Sequence, residues 1–195
     1  MFIEPSYSNI GDRGWIEVIC GPMFSGKTEE LIRRFKRARI AHQGIAMFKP
    51  DIDQRYHGEE IVSHDQQNIP STVLSKPIRA FEHIGKARII GFDEAQFFDN
   101  SLLDVVQQLA LDNHRVVVAG LDMDFQGMSF HPMPELLAVA EYITKVHAIC
   151  VQCRNLATHS FRKVDESGKI LVGANEAYEP RCRKCFNEGM AGEKS

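Results

Sequence analysis

The sequence predicts an α/β protein: a mainly parallel sheet with helices on both faces, followed by a small cysteine-bearing lobe. Short continuous apolar runs alternate with helical stretches from Trp15 onward. A glycine-containing turn links the first run to the first helix, as phosphate-binding α/β proteins require. The pattern stops at Cys150, where two CxxC pairs bracket a polar stretch.

Residues 1–14 are polar and turn-rich and read as a flexible N-terminal arm. Trp15–Cys20 reads as a buried strand, and Lys27–Ala41 as a helix with Leu31, Phe35 and Ala38 on one face. Ile45–Phe48 is a second strand, followed by the polar PDIDQRYHGEE with no clear period. Pro77–Gly85 has the proline start and glycine end of a short helix. Arg88–Phe92 reads as a strand, Leu102–Leu111 as a helix and Arg115–Leu121 as a strand. Glu135–Ala140 suggests a helix and Tyr142–Ile149 a further strand. The chain divides near residue 149, into a nucleotide-binding domain over 15–149 and a lobe over 150–195. Within that lobe, Asp165-Glu166-Ser167-Gly168 reads as a hairpin turn.

The 195 residues suffice for one α/β domain and an appended lobe. With 23 Lys+Arg against 26 Asp+Glu, the formal charge is −3, which argues against a polybasic nucleic-acid binder. Arg33, Arg34, Lys36, Arg37 and Arg39 on the first helix therefore read as a solvated face. A composition of 44% hydrophobic and 25% charged residues excludes disorder across the whole chain. Apolar runs such as Val116–Leu121 fall far short of the roughly 18 residues that span a bilayer. The opening MFIEPSYSNIGDRGW has neither the basic nor the apolar region of a signal peptide, so a cytoplasmic protein is expected.

Gly21-Pro22-Met23-Phe24-Ser25-Gly26-Lys27-Thr28 fits G-x-x-x-x-G-K-[ST] in full, after a strand and opening a helix. Glycine lets backbone N–H groups converge on phosphate oxygens, and the helix N-terminus adds its positive dipole end. Lys27 is then expected on β- and γ-phosphates, with the Thr28 hydroxyl on Mg²⁺. The apolar run Ile89–Phe92 ends in Asp93 and Glu94. Consecutive side chains leaving a strand point apart. Asp93 is therefore assigned to Mg²⁺ and Glu94 to the general base. Phe97, Phe98 and Phe125 lie where open α/β sheets place ligands and could wall a flat base, though each also reads as core.

Cys150-x-x-Cys153 and Cys182-x-x-Cys185 are separated by 28 residues. Four thiolates suit a closed tetrahedral Zn²⁺, a structural site that clips the intervening loop at its base. Cys20 reads as a small buried apolar residue, and His147 as structural.

GPMFSGKT (21–28), DEAQFF (93–98), LDMDFQG (121–127), GANEAY (173–178) and the CxxC pairs together resemble the type II thymidine kinases, in spacing the bacterial branch. The resemblance runs from residue 15 to 185. It implies a RecA-like P-loop domain and a zinc lobe whose lasso loop, about 154–181, closes over the nucleoside. It further implies transfer of the ATP γ-phosphate to the 5′-hydroxyl of thymidine or deoxyuridine, inhibition by thymidine triphosphate, and a homotetramer. Glu94 matches the family's base, and Met23, Phe97, Leu121 and Phe125 its thymine pocket. Ser160 stands where many members have threonine, and Tyr178 matches the lasso tyrosine. Leu171 and Gly173 match backbone that holds the base edge, Arg162 a lasso arginine that could reach the phosphates, and Asp53 and Arg55 a loop near the site. Ala174 departs from the second glycine of the animal-type enzymes. Two other functions stay open: a nucleoside monophosphate kinase, which needs a second phosphate clamp not evident here, and a P-loop ATPase with a nucleic-acid-binding zinc ribbon.

Overall fold

The computed structural model of the chain describes residues 13–51, 60–62, 68–163 and 177–192. Strand β1 (Trp15–Cys20) leads through the glycine turn into helix α1 (Lys27–Ile40). Then come β2 (Ile45–Pro50), the paired β3 (Glu60–Val62) and β4 (Asn68–Pro70), and β5 (Thr72–Leu74). A 3₁₀ turn at Pro77–Arg79 runs into the single-turn α2 (Ala80–His83). Next are β6 (Ile89–Phe92), α3 (Ser101–Leu111), β7 (Arg115–Gly120), α4 (Met133–Val139) and β8 (Tyr142–Lys145). The cysteine lobe contains β9 (Ala148–Ile149), β10 (Leu156–Ala157), β11 (His159–Arg162), β12 (Tyr178–Arg181) and α5 (Arg183–Gly192).

Six strands form one sheet in the order β5-β2-β6-β7-β1-β8, and every neighbouring pair runs parallel. Alternation along the strands feeds two cores. Val18, Ile90, Phe92, Val116 and Val118 face α3 and α4, through Leu102, Val106, Leu109, Met133 and Leu136. Ile19, Met47, Ile89, Val117 and Ala119 face the apolar stripe of α1, Leu31, Ile32, Phe35 and Ala38. Strands buried on both faces must read as continuous apolar runs, which is why they were visible in the sequence.

Buried charged residues of the sheet strands break that rule, among them Glu17, Lys49 and Arg115. Glu17 is 0% exposed, and its carboxylate accepts from Arg34 Nη1 at 2.6 Å and from Arg115 Nε and Nη2 at 2.6 and 3.1 Å. The Trp15 indole N–H donates to the same carboxylate at 2.7 Å. Arg34 also pairs with Glu30 at 2.9 Å, so the buried cluster balances two arginines with two carboxylates. Arg34 is thus a correction to the solvated basic face: it is 1% exposed, whereas Arg33, Arg37 and Arg39 do face water.

The expected single strand Tyr142–Ile149 is also corrected. It divides into β8, paired with β1, and β9, which leaves the sheet and pairs antiparallel with β10. Pro77–Gly85 is a 3₁₀ turn plus one α turn, not one helix. The expected turn at 165–168 lies outside the described residues.

Candidate active site

Parallel register brings the carboxyl ends of three strands together, Cys20 of β1 opposite Gly120 of β7 and Phe92 of β6 opposite Val118. The segments starting at Gly21, Asp93 and Leu121 leave the sheet at this one edge, where open α/β sheets bind ligands. Gly21 must be glycine. Its φ is +148°, and a Cβ there would lie 2.2 Å from the Val146 carbonyl oxygen. Ser25 Oγ and Lys27 Nζ both donate to the Pro22 carbonyl, at 2.7 and 2.8 Å, folding the loop over itself. The first N–H groups of α1, which have no acceptor within the helix, then open onto the loop.

Thr28 Oγ1 donates to Asp93 Oδ2 at 3.2 Å, joining the start of α1 to the end of β6. Asp93 is buried, and its Oδ1 accepts from the Glu94 backbone N–H at 2.9 Å. Glu94 has φ 50° and ψ 43°, a left-handed conformation that costs a residue with a Cβ about 1 kcal/mol or more. That turn sends the two carboxylates apart, Asp93 to Thr28 and Glu94 to Gln96 Nε2 at 2.6 Å. The expected divergence is present, but a backbone turn produces it, not strand alternation.

Met23, Phe97, Leu121 and Phe125 are all half-buried, as pocket walls are and core residues are not. Phe98 instead packs edge-on against Phe92 and belongs to the core, which settles its double reading. Ser160 Oγ on β11 accepts the Met23 N–H at 2.9 Å, tying the cysteine lobe to the phosphate loop. The Arg162 guanidinium lies 3.6 Å over the Phe125 ring and 5.8 Å from the buried Tyr178 ring. Such stacking fixes Phe125 from the lobe side. Leu171, Gly173, Ala174, Asp53 and Arg55 lie outside the described residues.

The Sγ atoms of Cys150, Cys153, Cys182 and Cys185 all lie within 4.8 Å of one another. Tetrahedral zinc with bonds of about 2.3 Å would set them roughly 3.8 Å apart, so the cluster fits that ion. At 3.5 Å, Cys153 and Cys182 are too far apart for a disulfide. Burial raises the Cys150 thiol, but backbone donors of Cys182, Cys153 and Gln152 prevail and bring it to about 6. Burial and then its three thiol neighbours push Cys185 up to about 12. A divalent cation bound there would favour the thiolate form of its ligands. Phe24 of the phosphate loop packs on the small apolar cluster of Ala148, Cys150 and Ala157, on which Cys182 and Cys185 also pack. Cys20 is buried apart from it, and burial pushes its thiol up to about 11, as an inert core residue requires. Gln96 is the site residue that sequence reasoning missed. It lies within DEAQFF, but a lone amide carries no spacing signal.

Phosphoryl transfer asks a protein mainly for positioning and charge neutralisation. A phosphate loop, a Thr–Asp pair and a second carboxylate meeting at one sheet edge place this chain in the class of nucleotide-binding kinases. The family model for thymidine kinase matches residues 14–186. A thymidine kinase from Rhodothermus sp. is 54% identical over 176 residues, 90% of this chain and 83% of the relative. One from Bacteroides thetaiotaomicron is 50% identical over 196 residues, 100% of this chain and 98% of the relative. One from Porphyromonas gingivalis is 49% identical over 186 residues, 95% and 91% of the two chains. The chain belongs to the thymidine kinase family.

Proposed function

We propose that the chain transfers the γ-phosphoryl group of ATP to the 5′-hydroxyl of thymidine, and of deoxyuridine, giving the 5′-monophosphate and ADP. The observation that carries this is the family match spanning both the phosphate loop and the cysteine lobe. In this reading Glu94 takes the proton of the 5′-hydroxyl as its oxygen bonds to the γ-phosphorus, and the bond to the β-phosphate oxygen breaks. Lys27 and the N–H groups of the loop from Gly21 to Gly26 hold the phosphate chain in line for that displacement. Thr28 and Asp93 would hold Mg²⁺, which neutralises charge on the β- and γ-oxygens. Met23, Phe97, Leu121 and Phe125 wall the thymine ring, with Ser160 and Tyr178 closing from the lobe. Arg162 acts on this wall by stacking on Phe125, which supports a packing role beside any contact with phosphate.

The resemblance extends the proposal to the type II bacterial branch, a RecA-like domain over 15–149 and a zinc lobe over 150–195. The lobe would carry the lasso, with Leu171 and Gly173 on the base edge, and residues 1–14 would form an arm. A cytoplasmic homotetramer inhibited by thymidine triphosphate, binding neither membrane nor nucleic acid, completes it. The open edge of β8, where Ile143 is 51% exposed, supports self-association. Among the described residues no helix is long and apolar enough to cross a membrane.

ATP consumption with Mg²⁺ tests the reaction, comparing thymidine, deoxycytidine, thymidine monophosphate and no acceptor. Thymidine-dependent turnover yielding the monophosphate is expected. Turnover without acceptor, or with the monophosphate alone, overturns the assignment in favour of an ATPase or a monophosphate kinase. Cys153→Ser is expected to lower bound zinc well below the roughly one equivalent of a closed site. Because Phe24 packs on the apolar cluster that includes Cys150, the KM for ATP should rise as well. Full zinc occupancy in the variant, read by metal analysis, would sink the clip.

A further inference from the structure

Gln96 takes no part in the chemistry derived so far, yet its side chain joins two groups that do. It is 3% exposed, in the 3₁₀ turn Ala95–Phe97 that follows the left-handed Glu94. Its Oε1 accepts the Leu121 backbone N–H at 2.9 Å, and its Nε2 donates to Glu94 Oε2 at 2.6 Å. These partners leave the amide one orientation, since an N–H needs an acceptor and a carboxylate needs a donor. The carboxylate bond is short, as charge-assisted bonds are. Space for the amide comes from Gly120, the last residue of β7. A Cβ there would lie 2.9 Å from Gln96 Oε1 and 2.7 Å from Met133 Sδ. The slot thus has a glycine floor on β7, a fixed donor in the next residue, and an outlet on the Glu94 carboxylate.

We propose that Gln96 is a positioning residue for phosphoryl transfer: anchored on the Leu121 N–H, its amide holds the Glu94 carboxylate in one rotamer beside the Leu121 wall of the acceptor pocket. The inference rests on Glu94 being the base. Gln96 thus spares the base the cost of being oriented toward the hydroxyl at each turnover. It also fixes the distance between the base and the pocket wall, because Leu121 contributes to the wall and to the anchor at once.

Gln96→Glu separates the two ends of the amide. It keeps an acceptor for the Leu121 N–H and puts an oxygen where the donor faced Glu94. That oxygen repels the Glu94 carboxylate and drives it from the position the amide holds. Gln96→Met removes the donor without adding charge and serves if the first variant does not fold. In whichever variant melts cooperatively, turnover with thymidine at neutral pH should fall about tenfold. The loss should fall on kcat, with the KM for thymidine and for ATP each changing less than about twofold. A residue that only fills space would lower the melting temperature and leave kcat in place.

An unchanged kcat in a folded variant overturns the inference. Glu94→Gln measured alongside separates the two claims. If Glu94→Gln is nearly inactive and the Gln96 variants keep the wild-type kcat, only the role of Gln96 fails. If Glu94→Gln turns over normally, Glu94 is not the base, and both fail together.

Discussion

Glu94→Gln is expected to reduce turnover with thymidine by about 10²–10⁴-fold while leaving ATP binding nearly intact. The amide matches the carboxylate in shape but cannot take the hydroxyl proton. ATP should still bind, because Lys27 and Thr28 belong to another segment, and Thr28 bonds Asp93 rather than Glu94. Melting temperature should scarcely move, since Glu94 is half-buried and outside both hydrophobic cores. Single-turnover kinetics with thymidine, beside equilibrium binding of ATP, read the two effects separately. Wild-type turnover in this variant would remove Glu94 from the mechanism.

Glu17→Ala is expected to destabilise the fold by about 3–5 kcal/mol, the usual loss when one partner of a buried ion pair is removed. Arg34 and Arg115, each 1% exposed, would keep their charges in the interior without the carboxylate that bridges them. Against a total stability of about 5–15 kcal/mol this is a large fraction. Urea unfolding should show a lower midpoint with little change in slope. A loss under about 1 kcal/mol would mean that Glu30 and Thr144, which also hold Arg34, carry the cluster. Replacing Glu17, Arg34 and Arg115 together by apolar residues should cost less than removing Glu17 alone, because the remaining Glu30 keeps Arg33 as its partner.

The elements with a strong local signature were legible in the sequence. β1 and the start of α1 fall where the apolar run, the glycine turn and the lysine put them, and the pairing of strands follows from their double burial. β5 was missed because three residues are too few to show a period. The break between β8 and β9 was missed because Val146 and His147 do not interrupt the apolar run, and only pairing partners tell the two strands apart. Residues paired across the fold were invisible for the same reason. Nothing near Glu17 announces Arg115, 98 positions away. At the site, the phosphate loop, Asp93, Glu94 and the cysteine cluster could be read from spacing. The grip of Gln96 on Glu94, and of Arg162 on Phe125, depends on side-chain directions that spacing does not encode.

The buried ion cluster also gives this chain an optical probe. Its single tryptophan, Trp15, donates its indole N–H to Glu17 and lies 5.9 Å from the Arg115 guanidinium. Trp15 starts β1, whereas the phosphate loop follows its other end, about 17 Å away along the strand. Its emission therefore reports whether the lower end of the sheet is intact, and filling the nucleotide site should leave it nearly unchanged. Unfolding can be followed by fluorescence in the presence of substrates without correcting the signal for occupancy.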